Sequence, residues 1–367
     1  MRPASEAEKA RLAGTFTDLC RILSPSWEEA ACAERVAAEL RGMGIEVEGD
    51  EAGNLFARVR GRGERTILLC AHLDTVPLNA PVEVVQESGV LSNRHEAILG
   101  ADNKAAVATV LGAARRLASD GAPVGVELLF TTCEEVALAG AKAVDRGRLR
   151  SNFGFVFDHA SPVGELVLAS PTYYRLELDF RGRAAHAGIR PEEGHNAIAA
   201  AAQAVAAMEL GRLDDATTAN VGEIAGGSAA NVVAERCQVV LETRSLDDSR
   251  AGEVVGSMVD LATEAASDAE CDVETTVERL FRGYRLQRSA PVVEIASRAL
   301  QSCGIEPLYI NTGGGSDANA LIAAGLPMVN LANGTERNHQ PDESVTVDAL
   351  ETMLDVTLAI VRASAPA

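Results

Sequence analysis

The amino-acid sequence predicts an α/β domain that is interrupted by a smaller α+β domain, and three observations lead to this prediction. Apolar, strand-like runs alternate with helical patterns up to about residue 171, which is typical of a mainly parallel sheet flanked by helices. After Pro171 the strands alternate between apolar and polar residues, as half-solvated antiparallel strands do. From about Tyr284 the α/β pattern returns. We therefore expect residues 1–171 plus 285–367 to form one domain and residues 172–284 to form an insertion.

The first part of the chain predicts two helices, followed by alternating strands and helices. Residues 5–45 contain two helical patterns joined by SPSWEEAA, where Ser24 and Ser26 can cap a helix and Pro25 interrupts the chain. The alanine-rich stretch 103–121 predicts an amphipathic helix that ends at Gly121. The remaining elements are strands at 54–59, 66–71, 124–135 and 151–160 and a helix at 138–149.

The insertion has the element order strand, helix, strand, strand, helix, strand, which is that of a ferredoxin-like unit. These elements are expected at residues 172–182, 194–210, 217–227, 234–246, 247–267 and 271–280. The chain then continues with helices at 291–302, 316–324 and 347–363 and with strands at 306–313 and 327–332.

Composition excludes several classes of partner. A net charge of -20 argues against nucleic acid, which needs a basic surface, and against anionic membranes. No apolar run approaches the roughly 20 residues that span a bilayer, and the N-terminal stretch lacks the apolar segment of a signal peptide. The seven cysteines are scattered without a CxxC pair, as free thiols are. These features predict a cytoplasmic protein.

Histidines and acids collect at the ends of the predicted strands of the α/β domain. His72 and Asp74 are the first example, because they follow an apolar run and lie two residues apart, so both point the same way on a strand. Ligands of open α/β sheets bind beyond the carboxyl ends of the strands. Two histidines with several carboxylates suit two Zn²⁺-like ions. The full set is His72, Asp74, Asp102, Glu134, Glu135, Asp158, His159 and His339.

The segments around these residues resemble the M20 family of metallopeptidases, and in particular its peptidase T-like branch of tripeptide aminopeptidases. The resemblance covers essentially the whole chain and is carried by AHLDTVP, LGADNKAAVA, TTCEEVALAGA, AAHAGIRPEEGHNAI and TGGGSDAN. It implies a zinc-peptidase-like α/β domain, with the insertion serving as a lid or dimerisation domain.

The resemblance also implies five metal ligands, namely His72, Asp102, Glu135, Asp158 and His339. It assigns His72 and Asp158 to one metal, His339 and Glu135 to the other, and Asp102 to both. A bridging carboxylate reduces the repulsion between two ions that share a water molecule. Zn²⁺ is expected, although Co²⁺ or Mn²⁺ would suit the same ligands.

Two further acids receive roles that do not involve binding a metal. The resemblance implies that Glu134 is the general base, and an acid beside the metal ligands can indeed accept a proton from water and deliver it to the departing amine. Asp74 is expected to orient His72 through its other ring nitrogen rather than to bind a metal directly. His159 is expected not to be a ligand, and His95 and His195 to be structural.

The remaining candidate residues concern the substrate. The resemblance implies that His186 binds the substrate carbonyl oxygen, often from the neighbouring subunit of a dimer, where a donor would stabilise an oxyanion. Asn231 and Arg244 match positions that contact polar groups of the substrate in the M20 family, although Arg244 is also compatible with an ordinary strand arginine. The loop 311–321 lacks the GK[ST] ending of a phosphate loop. The resemblance implies that this loop, including Gly314 and Ser316, lines the substrate pocket.

These features together predict a di-zinc hydrolase that cleaves an amide bond in a short peptide, with tripeptides as the leading substrates of an aminopeptidase. An N-acyl-amino-acid deacylase or a carboxypeptidase of the same family is the alternative, because the scissile bond is again an amide. A catalytically silent binding protein is a third possibility, which the retained Glu134 and complete ligand set disfavour. Two departures from the tripeptidase pattern, His159 and the segment NHQPDES, leave the substrate open.

Overall fold

The computed structural model describes residues 4–78 and 80–366, so residues 1–3, 79 and 367 lie outside the description. The chain divides into two compact units. The first consists of Met1–Leu168 and Leu286–Ala367, and the second of Ala169–Arg285. The assignment of the first unit to metal chemistry and of the second to a lid or dimer contact stays a prediction.

The described residues form nine α-helices and two 3₁₀ turns, at Arg146–Arg148 and Pro191–Glu193. None of these helices is both long and apolar enough to cross a bilayer. The helices are α1 (Glu6–Cys20), α2 (Ala30–Gly42), α3 (Ala101–Asp120), α4 (Ala139–Ala143), α5 (Ala197–Ala207), α6 (Asp248–Asp268), α7 (Pro291–Ser302), α8 (Asp317–Ala323) and α9 (Val347–Ala363).

The described residues also form three sheets. Their strands are β1 (Val47–Gly49), β2 (Leu55–Val59), β3 (Thr66–His72), β4 (Val84–Glu87), β5 (Val90–Asn93), β6 (Gly125–Thr131), β7 (Phe153–His159), β8 (Glu165–Ser170), β9 (Thr172–Arg181), β10 (Gly211–Asp214), β11 (Thr217–Gly226), β12 (Arg236–Ser245), β13 (Asp272–Phe281), β14 (Tyr284–Arg285), β15 (Leu308–Asn311), β16 (Met328–Ala332), β17 (Thr335–Glu336) and β18 (Ser344–Thr346).

The main sheet has the order β1-β2-β6-β3-β7-β16-β8-β14, with β15 paired to β8. Its central strands β6, β3, β7 and β16 are parallel, whereas β2 and β8 pair antiparallel at its two sides. The predicted α/β class is confirmed, with antiparallel strands added at the edges. In β3 residues 67–72 are all buried, which explains why this strand is apolar throughout instead of alternating.

Helix α3 is the central helix of the first unit. Fifteen of its 20 residues are buried, and its alanines keep the side chains small enough for close packing. The helix stops before Gly121, as predicted, because the φ of +83° and ψ of 146° at this residue are open essentially to glycine alone. Asp102 lies in the first turn of α3, so the packing of this helix also places a candidate metal ligand.

The second unit is a five-stranded antiparallel sheet in the order β10-β11-β12-β9-β13, covered by α5 and α6. Its four long strands have the order of a ferredoxin-like fold, as the sequence predicts. The unit has its own core, in which Leu176, Leu178 and Phe180 of β9 pack with alanines of α5.

The structure corrects two predictions in the first unit. The helix expected at 138–149 is only α4, followed by a 3₁₀ turn, because the backbone becomes extended at Val144 (ψ of 117°) and Asp145 (ψ of 108°). The small antiparallel sheet β17-β18-β5-β4 was not predicted. Its strands have two to four residues, which is too short for a periodic pattern to stand out.

Glu8 connects α1 to α3. Its side chain completes a capping box with Ser5 and forms an ion pair with Arg116, whose side chain is only 2% exposed. The Arg116 guanidinium lowers the pKa of Glu8 from its ordinary value of 4.5 to about 2. The ionised form of Glu8 therefore stabilises the folded state.

We predict that Glu8→Gln lowers the free energy of unfolding by about 1–3 kcal/mol at pH 7, because Arg116 loses its charged partner. The folded-state pKa lies below the unfolded one, so this contribution is fully present above pH 4.5 and is lost as the pH falls towards 2. Urea unfolding of the wild type and of Glu8→Gln across this pH range measures the difference in the free energy of unfolding. A difference between them that stays constant from pH 7 to pH 3 would contradict the prediction.

Candidate metal centre

Six ionisable side chains meet at the carboxyl ends of the parallel strands in the first unit. Strands β3 and β7, the segment that follows β6 and the start of α3 supply five of them, and the loop between β17 and β18 supplies the sixth. Parallel strands end at a common edge, so residues far apart in sequence become neighbours there. These six residues are His72, Asp102, Glu134, Glu135, Asp158 and His339.

Asp102 lies between the two histidines. Its Oδ1 is 3.2 Å from Nε2 of His72, and its Oδ2 is 3.3 Å from Nε2 of His339. The two oxygens of one carboxylate thus face two different histidines. This is the arrangement that a carboxylate bridging two metal ions requires.

The other acids complete two groups of possible metal donors. One donor atom each of His72, Glu134 and Asp158 lie within 4.8 Å of one another, and the same is true of His72, Asp102 and Glu135. His339 joins the second group, with its Nε2 2.8 Å from Oε1 of Glu135. Imidazole nitrogens and carboxylate oxygens are suitable ligands for Zn²⁺, Co²⁺ or Mn²⁺. Distance alone does not separate Glu134 from the ligands.

The electrostatics of the site also fit bound cations. Burial raises the pKa of Glu134 well above its ordinary value, and the Asp158 carboxylate raises it further. Burial likewise raises the pKa of Asp158. For His72 burial alone would lower the pKa, but the Asp158 and Asp102 carboxylates outweigh it, and the pKa lies well above its ordinary value. Crowded, buried carboxylates of this kind are stabilised by divalent cations.

Asp74 lies behind the centre and is fully buried. Its carboxylate accepts hydrogen bonds from the backbone N–H groups of Glu134 and Glu135, at 3.0 and 3.1 Å, and from the Ser26 hydroxyl at 2.8 Å. Nδ1 of His72 is 3.3 Å from Asp74 Oδ1 and 3.0 Å from the Asp74 carbonyl oxygen. Asp74 thus contacts the ring nitrogen of His72 that faces away from Asp102, which is the position of an orienting partner.

Glu343 supports the centre and was missed in the sequence. Its buried carboxylate accepts hydrogen bonds from the N–H groups of Leu99, Gly100 and Asp102, at 2.9, 2.7 and 2.9 Å. Burial raises the pKa of Glu343 to about 7. The side chain therefore fixes the backbone that carries Asp102. Its only signal in the sequence is an acid four residues after His339, which looks like an ordinary solvated residue.

Three other polar side chains around the centre were also missed. Asn338 donates a hydrogen bond of 2.7 Å to Oδ2 of Asp102. The Asn330 side chain bonds both the N–H and the carbonyl oxygen of Asp158, each at 2.9 Å. Asp317 accepts a hydrogen bond from the Thr131 hydroxyl, and burial raises its pKa to about 7. Amides and a buried acid thus hold the ligand-bearing loops in place.

The predicted substrate residues of the second unit lie in two places. His186 and Asn231 are exposed residues of adjacent loops, joined by a 3.0 Å hydrogen bond from the Ala187 N–H to the Asn231 carbonyl oxygen. Arg244 lies on β12, where it binds both carboxylate oxygens of Glu242 at 3.1 Å and stacks on Tyr173 at 4.1 Å. Its guanidinium would have to exchange partners to bind a substrate carboxylate.

The glycine-rich loop of the first unit opens α8. Ser316 forms a capping box with Asn319 at the start of this helix, and its side chain is buried. The Gly314 N–H donates a 3.1 Å hydrogen bond to the Thr312 hydroxyl. His159 is directed to Glu165, at 3.5 Å, rather than to the acids of the centre. Substrate contacts by Gly314 and Ser316 stay predictions.

Comparisons with known proteins identify the family of the chain. The model of peptidase family M20/M25/M40 matches residues 68–363. The chain is 34% identical to protein YqjE of Bacillus subtilis over 365 residues, which covers 97% of this chain and 98% of YqjE.

Two solved structures share the fold over nearly the whole chain. Aminopeptidase PepT from Bacillus cereus superposes with a TM-score of 0.88 at 34% identity, covering 98% of this chain and 99% of that one. A tripeptidase from Staphylococcus aureus superposes with a TM-score of 0.92 at 31% identity, covering 97% and 98%. The resemblance read from the sequence is confirmed. The chain belongs to peptidase family M20/M25/M40 and is a metal-dependent hydrolase of peptide bonds.

Proposed function

We propose that this protein is an aminopeptidase that removes the N-terminal residue of short peptides, above all tripeptides, with two divalent metal ions. The observation that carries the proposal is Asp102, whose two oxygens face two different histidines. The similarity to an aminopeptidase PepT and to a tripeptidase supports the choice of substrate. Zinc is the proposed metal, and the cytoplasm, expected from the composition, is the proposed location.

In this proposal five residues of the centre bind the two metal ions and the sixth transfers a proton. His72 and Asp158 would hold one ion, His339 and Glu135 the other, and Asp102 would contact both. Bound ions would polarise the scissile carbonyl and lower the pKa of a water molecule between them. Glu134 lies in the same cluster and would accept a proton from that water and pass it to the departing amine. Asp74 keeps the His72 ring in its orientation.

The second unit would supply contacts to the substrate. His186 is exposed in its loop, so its ring is available to donate a hydrogen bond to the carbonyl oxygen as negative charge develops. Asn231 lies in the adjacent loop and could bind the same peptide. We propose that His186 acts in a homodimer, as expected from the family. Arg244, Gly314 and Ser316 complete the proposed substrate contacts.

We predict that the zinc-loaded protein hydrolyses tripeptides faster than dipeptides and faster than N-acetyl amino acids. Glu134→Gln should lower kcat by about 10²–10⁴-fold, because the water loses its proton acceptor. The bound metal, measured by elemental analysis, should stay unchanged. Chromatography of the products of a peptide panel measures the substrate preference and the loss of kcat. It also shows which terminal residue is released.

The exposed Glu51 offers a matched control, since Glu51→Gln makes the same chemical change away from the centre. It should retain the activity of the wild type. A protein that prefers N-acetyl amino acids would instead be a deacylase. An active Glu134→Gln variant would rule out the assigned general base.

We predict that a chelator abolishes the activity, that added Zn²⁺, Co²⁺ or Mn²⁺ restores it, and that the metal-free protein melts at a lower temperature. Ions that bind only the folded state stabilise it by mass action. His339→Ala should reduce the metal content from about two ions per chain to about one. His95→Ala is the control, because His95 lies near Glu83 and not in the centre. Two retained ions in His339→Ala would refute its role as a ligand.

We predict that Glu343→Gln weakens metal binding by about 10–100-fold, because an amide cannot accept all three backbone hydrogen bonds and Asp102 shifts. Asp342→Asn is the matched control, because Asp342 is exposed and pairs with Arg337. Competition with a fluorescent chelator measures the affinity. Equal affinities in the two variants would show that Glu343 does not position the ligand.

A further inference from the structure

Trp27 has a conformation and an exposure that the fold does not require. It is the one tryptophan in the chain, its side chain is 73% exposed, and its φ is +74°. A positive φ is unfavourable for every residue with a Cβ and favours glycine. An exposed indole gains little from burial in the folded state. A residue that carries both disadvantages is a candidate for a functional role of its side chain.

The backbone of Trp27 is fixed beside the metal centre of the first unit. Its N–H donates a 3.0 Å hydrogen bond to Oε1 of Glu29. The same oxygen accepts a 2.9 Å bond from the N–H of Cys133, the residue that precedes Glu134. On the other side, the Ser26 hydroxyl binds Asp74. Trp27 is therefore held against both segments that present the site residues.

Most of the large apolar side chains that are exposed in the first unit belong to segments that hold the centre. Among its described residues, the large exposed hydrophobic side chains are Leu23 (54%), Trp27 (73%), Val136 (38%) and Leu308 (52%). Val136 directly follows Glu135, and Leu23 precedes Ser24, whose hydroxyl binds the Leu73 carbonyl oxygen. Three of the four thus lie in the segments that hold the centre. Apolar side chains that are exposed in these segments are available to contact a bound peptide.

We propose that Trp27 and Val136 form an apolar subsite that takes a hydrophobic side chain of the peptide, next to the bond that is cleaved. The inference rests on the proposed peptidase function and adds a preference among peptides. Trp27 occupies a backbone position that glycine would occupy with less strain, so the subsite depends on the indole itself. The chemical class of substrate is a short peptide that carries a leucine-like or aromatic residue.

The test compares a tripeptide that contains one leucine with the same tripeptide in which glycine replaces this leucine. In Trp27→Gly, KM for the leucine peptide should rise about tenfold, with kcat within about twofold, because one apolar contact is lost. KM for the glycine peptide should not change. Trp27→Phe should restore most of the affinity. Trp27→Gly is suited to the positive φ, so the variant keeps the backbone as it is.

Leu308→Ala is the matched control, since Leu308 is a similarly exposed apolar residue on β15. It should alter neither KM. An equal change for both peptides in Trp27→Gly, or no change for either, would overturn the subsite while leaving the peptidase function intact. A wild-type protein that cleaves no peptide would overturn the proposed function and the subsite with it.

The fluorescence of Trp27 gives a readout that does not depend on turnover, because the chain has no other tryptophan. Metal-loaded Glu134→Gln should bind the leucine peptide without cleaving it. We expect the emission to shift to shorter wavelength as this peptide covers the indole, and to stay unchanged with the glycine peptide. An emission wavelength that does not change at a saturating concentration of the leucine peptide would overturn the proposal.

Discussion

The metal centre depends on the carboxylate of Asp74, although this side chain is not expected to bind a metal. It joins three separate segments, because it contacts the ring of His72, the N–H groups of Glu134 and Glu135, and the hydroxyl of Ser26. Burial alone would raise its pKa, but the contacts with His72 and these donors outweigh burial and lower it. One ionised and fully hydrogen-bonded group thereby sets the distance between the ends of β3 and β6.

Acids serve two different purposes in this small volume. Asp74 and Glu343 point at backbone N–H groups and hold the loops, and such satisfied carboxylates are structural anchors. Asp102, Glu135 and Asp158 point at histidine nitrogens, and their clustered negative charges favour a bound cation. One set of carboxylates therefore anchors the backbone, and the other set forms the candidate cation site.

The sequence predicted those parts of the structure that produce a periodic pattern or a characteristic spacing of residues. Buried positions are apolar, as the run before His72 and the pattern of α3 illustrate. The strands and the central helix could therefore be located. Glu343 could not be found in this way, because periodicity does not reveal whether an acid faces solvent or a buried N–H group. The shortening of α4 follows from extended backbone at Val144 and Asp145, which the helical pattern of the sequence does not reveal. The role of Trp27 was equally hidden in a segment that joins two helices.

The two histidines of the centre differ greatly in burial, since the side chain of His72 is 1% exposed and that of His339 is 47% exposed. His72 lies at the end of a buried strand, whereas His339 lies in a loop with a φ of +64°. The two halves of the centre would therefore differ in how fast they exchange ligands with the surrounding water. An ion on the His339 side would be the one that water and chelators reach first.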